Sequence, residues 1–321
     1  MMYRLLNRSD FSTDEELERD WEKYSKNYGI EYFELIKYSD RSNEKLKEKI
    51  KGYHLRFFPT WLDLYFCSQE ELISRLGSEK NVRALCGGVT KEEMLAYYRK
   101  ELERAKDLGV EYVVLHACSV DIFESMTYEF RYSDMEILEK VVDFVNELFD
   151  EKKYNFTLLL ENLWWSGLKL TSYEEAKYLI ENIKYKNTGF MLDTGHMLST
   201  NWEIKTSDEG VDYILENLEK LKEYKEYIYG IHLNLSLSGE YIKRAISENR
   251  KRELKLDEVL KEVYYHVANI DYHFPFENER IKEVISILPL KYLVYEFISE
   301  NEEGIEKSII KQNEVLGIKL K

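Results

Sequence analysis

The stretch Gly189-Phe190-Met191-Leu192-Asp193-Thr194-Gly195-His196 closes a short apolar run with a carboxylate and, three residues on, an imidazole. A run of this length reads as a strand buried on both faces, as in a parallel sheet. A carboxylate set directly after such a run is costly unless it is paired or bound to a cation. The same pattern recurs along the chain. Leu158-Leu159-Leu160 closes on Glu161, and Tyr292-Leu293-Val294-Tyr295 closes on Glu296. Val113-Val114-Leu115 ends at His116, Gly230-Ile231 leads into His232, and Tyr53 precedes His54. With His196 and His273, five of the six histidines lie inside or just after such runs.

The apolar runs alternate with amphipathic stretches. Eight strand-like segments are predicted: 3–6, 30–36, 53–58, 112–116, 157–161, 189–193, 229–233 and 292–297. Helical spacing fills the intervals, as in 92–108 and 136–148, the latter with Ile137, Leu138, Val141, Val142, Val145 and Leu148 on one face. Thr90 and the pair Thr171-Ser172 read as helix starts, and Gly109 as a helix stop. Eight strand–helix alternations predict a single α/β domain over 1–321, a (β/α)8 TIM barrel. No Gly-rich phosphate turn supports an open doubly wound sheet. The longest excursion, 238–270, is predicted to form a helix pair or a lid over the barrel mouth. His266 within it reads as structural or surface. In a TIM barrel the strand-end residues converge on one mouth, which is where such a fold builds a metal site.

Bulk properties narrow the function. The chain has 321 residues, 44% of them hydrophobic, and a net charge of −15. It holds no run of about 20 apolar residues, so no membrane span is expected. The opening Met1-Met2-Tyr3-Arg4 has no extended apolar signal region, and three cysteines without a C-x-x-C pair fit a reducing, cytoplasmic setting. Cys118 reads as a core or rim thiol. The acidic balance repels phosphate backbones, so a small-molecule substrate is favoured over nucleic acid. The one basic cluster, Arg250-Lys251-Arg252, reads as a loop or helix end.

The motifs Leu160-Glu161-Asn162, Leu192-Asp193-Thr194-Gly195-His196, Gly230-Ile231-His232-Leu233-Asn234 and Asp271-Tyr272-His273 resemble the xylose-isomerase-like TIM barrels, and within them endonuclease IV. That resemblance implies two or three divalent ions, zinc first with manganese or iron as alternatives, held by nine residues. They are His54, His116, Glu161, Asp193, His196, His232, Asp271, His273 and Glu296. It also implies that Glu161 bridges two ions and holds the attacking hydroxide. The isomerase and epimerase branch resembles the chain too. It would use one ion on Glu161, Asp193, His232 and Glu296, with Glu161 and Glu296 as the proton-transferring catalytic pair. The additional His54, His116, Asp271 and His273 favour a multinuclear hydrolase of phosphodiesters or phosphate esters.

The chain departs from the endonuclease IV pattern in its substrate-facing loops. Ala117-Cys118-Ser119 replaces a Pro-Gly-Ser type turn, and Leu235 replaces an Asp. Phe274-Pro275-Phe276-Glu277 stands where a second His and a Gly-Glu-Gly turn are expected. Trp61, Trp164, Trp165 and Phe274 either pack the loops or, with Asn234, wall a pocket for a small or medium organic substrate.

Overall fold

A computed structural model describes residues 2–150 and 153–318. Eight strands close into a barrel in sequence order: β1 Tyr3–Ser9, β2 Tyr32–Ile36, β3 Ile50–His54, β4 Tyr112–His116, β5 Thr157–Glu161, β6 Thr188–Asp193, β7 Ile228–Leu233 and β8 Tyr292–Tyr295. Every neighbouring pair is parallel, including the closing pair of β1 and β8. Parallel strands need crossovers, and helices supply them on the outside, as in Lys91–Leu108 between β3 and β4 and Asp134–Leu148 between β4 and β5.

The period of two along each strand separates two apolar layers. Val113 and Leu115 of β4, Leu158 and Leu160 of β5, and Leu293 and Tyr295 of β8 join the layer under the helices. Tyr112, Val114, Leu159, Met191, Tyr292 and Val294 fill the barrel interior. Continuing the alternation places His116, Glu161, Asp193 and Glu296 above that interior layer. Gly52 makes this packing possible. A Cβ there would lie 2.3 Å from the Tyr112 ring. With Gly at 52 the ring stands upright and its hydroxyl donates to Glu34 Oε2 at 2.8 Å.

The boundaries differ from the sequence reading where a polar or glycine residue masks a strand. β3 runs 50–54 rather than 53–58, because Gly52 and His54 pair with Tyr112 and Val114 while the chain beyond His54 leaves the sheet. β8 stops at Tyr295, so Glu296 lies just past the strand end. The helix starting after Thr90 is capped by its hydroxyl, which accepts from Glu93 N. Ser172 makes no such cap, since its hydroxyl donates to Glu174.

The 238–270 excursion folds as two helices, Gly239–Asn249 and Leu256–Ala268, packed on the short helix Ile122–Thr127. Arg250 ends the first of them. His266 pins the pair in place. Its buried Nε2–H donates to Ser125 O at 3.1 Å, and its Nδ1 accepts from the Tyr241 hydroxyl at 3.0 Å. The contact with Tyr241 needs the neutral ring, and burial pushes its pKa down, against the pull of the Ser125 carbonyl. A depressed histidine contributes stability that is present above its unfolded value, near 6.5, and is lost as pH falls below it. His266→Ala should therefore cost about 1–3 kcal/mol at pH 8. In denaturant titrations the gap between variant and native protein should narrow between pH 7 and pH 5.

Candidate metal centre

Six strand ends deliver one ligating group each to the barrel mouth. His54 ends β3, His116 ends β4, Glu161 ends β5, Asp193 ends β6, His232 lies one residue from the end of β7, and Glu296 follows β8. His196 arrives three residues after Asp193, in the short helix Thr194–Leu198, which Asp193 Oδ1 caps by accepting from His196 N at 2.7 Å. Asp271 and His273 come from the turn after the helix Leu256–Ala268. Ser236 orders that turn, donating to Asp271 Oδ1 and accepting from Tyr272 N. His273 sits there in the left-handed region, at φ 51°.

Glu161 is the hub, fully buried. Its Oε2 lies 3.0 Å from His54 Nε2 and 3.2 Å from His116 Nε2. Its Oε1 lies 3.1 Å from His232 Nδ1 and 3.3 Å from His196 Nδ1. Burial works against its charge, but His116 and His232 outweigh it and hold the carboxyl well below the usual range. Around this hub the ligating atoms fall into groups of metal-binding size. One is His54, His116 and Glu161; a second is Glu161, Asp193, His232 and Glu296; a third is His196, Asp271 and His273. All nine residues expected to hold ions are thus brought together, with Glu161 shared by the first two groups.

The outer nitrogens of four imidazoles are tied to the protein. His54 Nδ1–H donates to Leu55 O, His196 Nδ1–H to Asn162 O, and His273 Nδ1–H to Glu296 O, at 3.0, 2.9 and 2.8 Å. His232 Nε2–H donates to Glu34 Oε1 at 3.0 Å. Such bonds fix the tautomer and turn the other nitrogen inward, as metal-ligating histidines require. Carboxylates are also anchored. The Asn162 side chain clasps the Asp193 backbone on both sides, and Asn234 Nδ2 donates to Asp193 Oδ2 at 2.8 Å.

The donor set fits divalent cations. His232 presents both ring nitrogens to carboxylates, which a neutral imidazole cannot satisfy with protons alone. Glu296 Oε2 lies 2.9 Å from His232 Nδ1 yet is a buried acceptor without a hydrogen bond, and His116 Nδ1 and Asn234 Oδ1 are likewise buried and unpartnered. Asp193 is raised to about 7, by burial first, with the neighbouring acids adding to it. His196 and His232 are raised well above their ordinary value because the carboxylates around them outweigh burial. Ions of charge +2 would relieve this crowding of acids with positive charge at the inner nitrogens.

Glu34 was not anticipated. It is a lone acid inside the apolar run of β2, fully buried, and it accepts from Asn7, Tyr112 and His232. The signal that marked Glu161, a carboxylate in an apolar strand, was present at Glu34 also. With His54 and His232 it forms a fourth group of ligating atoms. Cys118 is buried and stands outside these groups.

The aromatic residues divide. Trp164 and Trp165 line a cavity beside the centre. Trp61 does not reach it. Its indole N–H donates to Cys118 O at 2.7 Å and its ring packs 5.3 Å from that of Phe144, in the layer under the helices. Phe274 is 54% exposed and stacks on Tyr272, because its backbone pairs with Leu235 through two hydrogen bonds. Asn234 braces Asp193 and is not among the residues that line the cavity.

Residues 23–309 match the family described as xylose isomerase-like TIM barrel. The chain belongs to that family. A protein of Metamycoplasma arthritidis named "Probable endonuclease 4" is 29% identical over 139 residues, 43% of this chain and 45% of that protein. The chain therefore spans less than half the length of that curated relative. Two solved structures share the fold. A D-tagatose 3-epimerase-like protein superposes with TM-score 0.53 at 18% identity, covering 99% of this chain and 98% of its own. Endonuclease IV from Thermus thermophilus superposes with TM-score 0.51 at 16% identity, covering 98% of this chain and 99% of its own. The family's named members are enzymes, of both the endonuclease and the epimerase kind. Among the described residues no helix is long and apolar enough to cross a membrane.

If Glu34 orients His232 for a cation, Glu34→Gln should keep the fold and weaken zinc binding by roughly 10–100-fold, the usual effect of removing a ligand's hydrogen-bond partner. Competition with a chromogenic zinc chelator measures this.

Proposed function

We propose that the protein is a metal-dependent hydrolase of phosphodiesters or phosphate esters, acting on a small or medium organic substrate. The observation that carries this reading is Glu161 shared between two ligand groups, with a third group adjoining through His196. His54, His116 and Glu161 would hold one ion, Glu161, Asp193, His232 and Glu296 a second, and His196, Asp271 and His273 a third. Bound at such spacing, ions would polarise the phosphoryl oxygens, lower the pKa of water and offset charge on the leaving oxygen.

The chain's residues do the rest. Glu161 stays ionised under burial because four imidazoles surround it, so it can face both of the first two positions at once. Asn162 and Asn234 hold Asp193 in place, so that its oxygens need not reorganise during the reaction. Glu296 stays ionised because His232 outweighs its burial, and its Oε2, 2.9 Å from His232 Nδ1, is available to the second position.

The alternative is a sugar or sugar-phosphate isomerase or epimerase with one ion on Glu161, Asp193, His232 and Glu296, a set that is also assembled. It would leave His54, His116, Asp271 and His273 without a part in the chemistry. An endonuclease acting at abasic sites has the ligand set but must bring an acidic chain of net charge −15 onto a polyanion.

Zinc-loaded protein should hydrolyse bis(p-nitrophenyl) phosphate. His273→Ala should lower kcat/KM by more than about 100-fold, beyond the effect of losing an orienting contact. Ketoses incubated with the protein in D2O should gain no deuterium. Wash-in of deuterium with no phosphoester cleavage would transfer the assignment to the isomerase reading.

A further inference from the structure

A cavity of about 340 Å³ opens beside the ligand groups. Its floor is made of His116, His196, Asp271, His273 and Glu296. Its walls are apolar: Phe57, Trp164 and Trp165 on one side, and Val263, Tyr264 and Val267 of the helix Leu256–Ala268 on the other. Apart from those ligands, none of the described lining residues carries a charge. Ser125 spends its hydroxyl on Ile122 O, Tyr264 is largely exposed, and the remaining polar side-chain atoms are the indole N–H groups of Trp164 and Trp165, which are buried without a hydrogen bond. The apolar wall meets the ligands directly. The Phe57 ring lies edge-on to His116 at 4.8 Å, and the Trp164 ring edge-on to His196 at 5.1 Å.

We propose that this cavity sets the substrate class: phosphate esters whose leaving alcohol carries a flat apolar ring, that is, aryl phosphates or aryl phosphodiesters. The assignment rests on the phosphoester hydrolase reading above. A phosphoryl group seated on the ligand groups would place its ester oxygen on the cavity floor and the esterifying group against Trp164 and Phe57. A cavity of roughly 150 Å³ already admits benzene, so this one accommodates a substituted or bicyclic ring. A sugar would bring several hydroxyls against a wall whose polar atoms are two indole N–H groups, so most of them would lose water without gaining partners. In the reaction, water oxygen forms the new bond to phosphorus and the bond from phosphorus to the aryl oxygen breaks. The electron pair leaves on that oxygen, which takes up the proton that water gives up, releasing a phenol and the phosphate product.

The test uses inert phosphonates, so binding is read without turnover. For the zinc-loaded protein, calorimetry is expected to show phenylphosphonate binding about 100-fold more tightly than methylphosphonate, from the extra apolar surface removed from water. Val267→Trp and Val263→Phe fill the cavity from the helix side. Each should cut that preference to a few-fold while leaving zinc content and methylphosphonate affinity unchanged. Equal affinities in the native protein, or a preference that survives both variants, would overturn the assignment. A preference that is kept and lost as described, without hydrolysis of any phosphate ester, would support the aryl cavity and overturn the hydrolase reading instead.

Discussion

A fully buried carboxylate within 3.0–3.3 Å of four imidazole nitrogens organises the barrel mouth. Glu161 would be untenable in an apolar layer on its own, since an isolated buried carboxylate loses far more in hydration than packing returns. Its neighbours make it tolerable, and they in turn are tolerable because of it. This mutual dependence runs outward through Glu34, Asn162, Asn234 and Ser236, each of which holds a ligand in place from the protein side. The interior apolar layer of Tyr112, Leu159, Met191 and Val294 supports the whole set from below.

The loops around this centre are tied down by backbone pairing. Cys118 pairs with Gly167, and Leu235 with Phe274, as isolated antiparallel bridges. These are the segments in which the chain departs from the endonuclease IV pattern. The helix pair 239–268 closes one side, held by His266, and brings Val263, Tyr264 and Val267 to the cavity wall. The cavity wall is therefore made of carbon from Phe57, Trp164, Trp165 and the helix pair, with no lysine or arginine among its described lining residues to track a phosphate backbone.

Much of this was legible in the sequence because the physics is local. A charged or ligating residue at the end of a buried strand stands out against its run, and the strand-end rule of TIM barrels places it at one mouth. So the eight strands, and the six residues at or beside their ends, could be read from their runs, while the full set of nine came from the family resemblance. Other features depend on contacts between distant segments. Glu34 carries the same local signal but gains its role only through His232, 198 residues away. Gly52 and Lys51 concealed the start of β3, since a glycine that makes room for Tyr112 looks like a turn. Trp61 follows a ligand strand in sequence as closely as any pocket residue would, yet the carbonyl of Cys118 draws it under the helices. Nothing in its own neighbourhood announces that partner.

The fold is common to hydrolases and epimerases, so the number of ions separates them. Anomalous diffraction at the zinc edge, on crystals of protein purified with zinc, tests the account most directly. It should reveal ions at the groups headed by His54, Asp193 and Asp271, with Glu161 shared between the first two. A single ion on Glu161, Asp193, His232 and Glu296, with His54, His116, Asp271 and His273 bound only to protein or water, would contradict it.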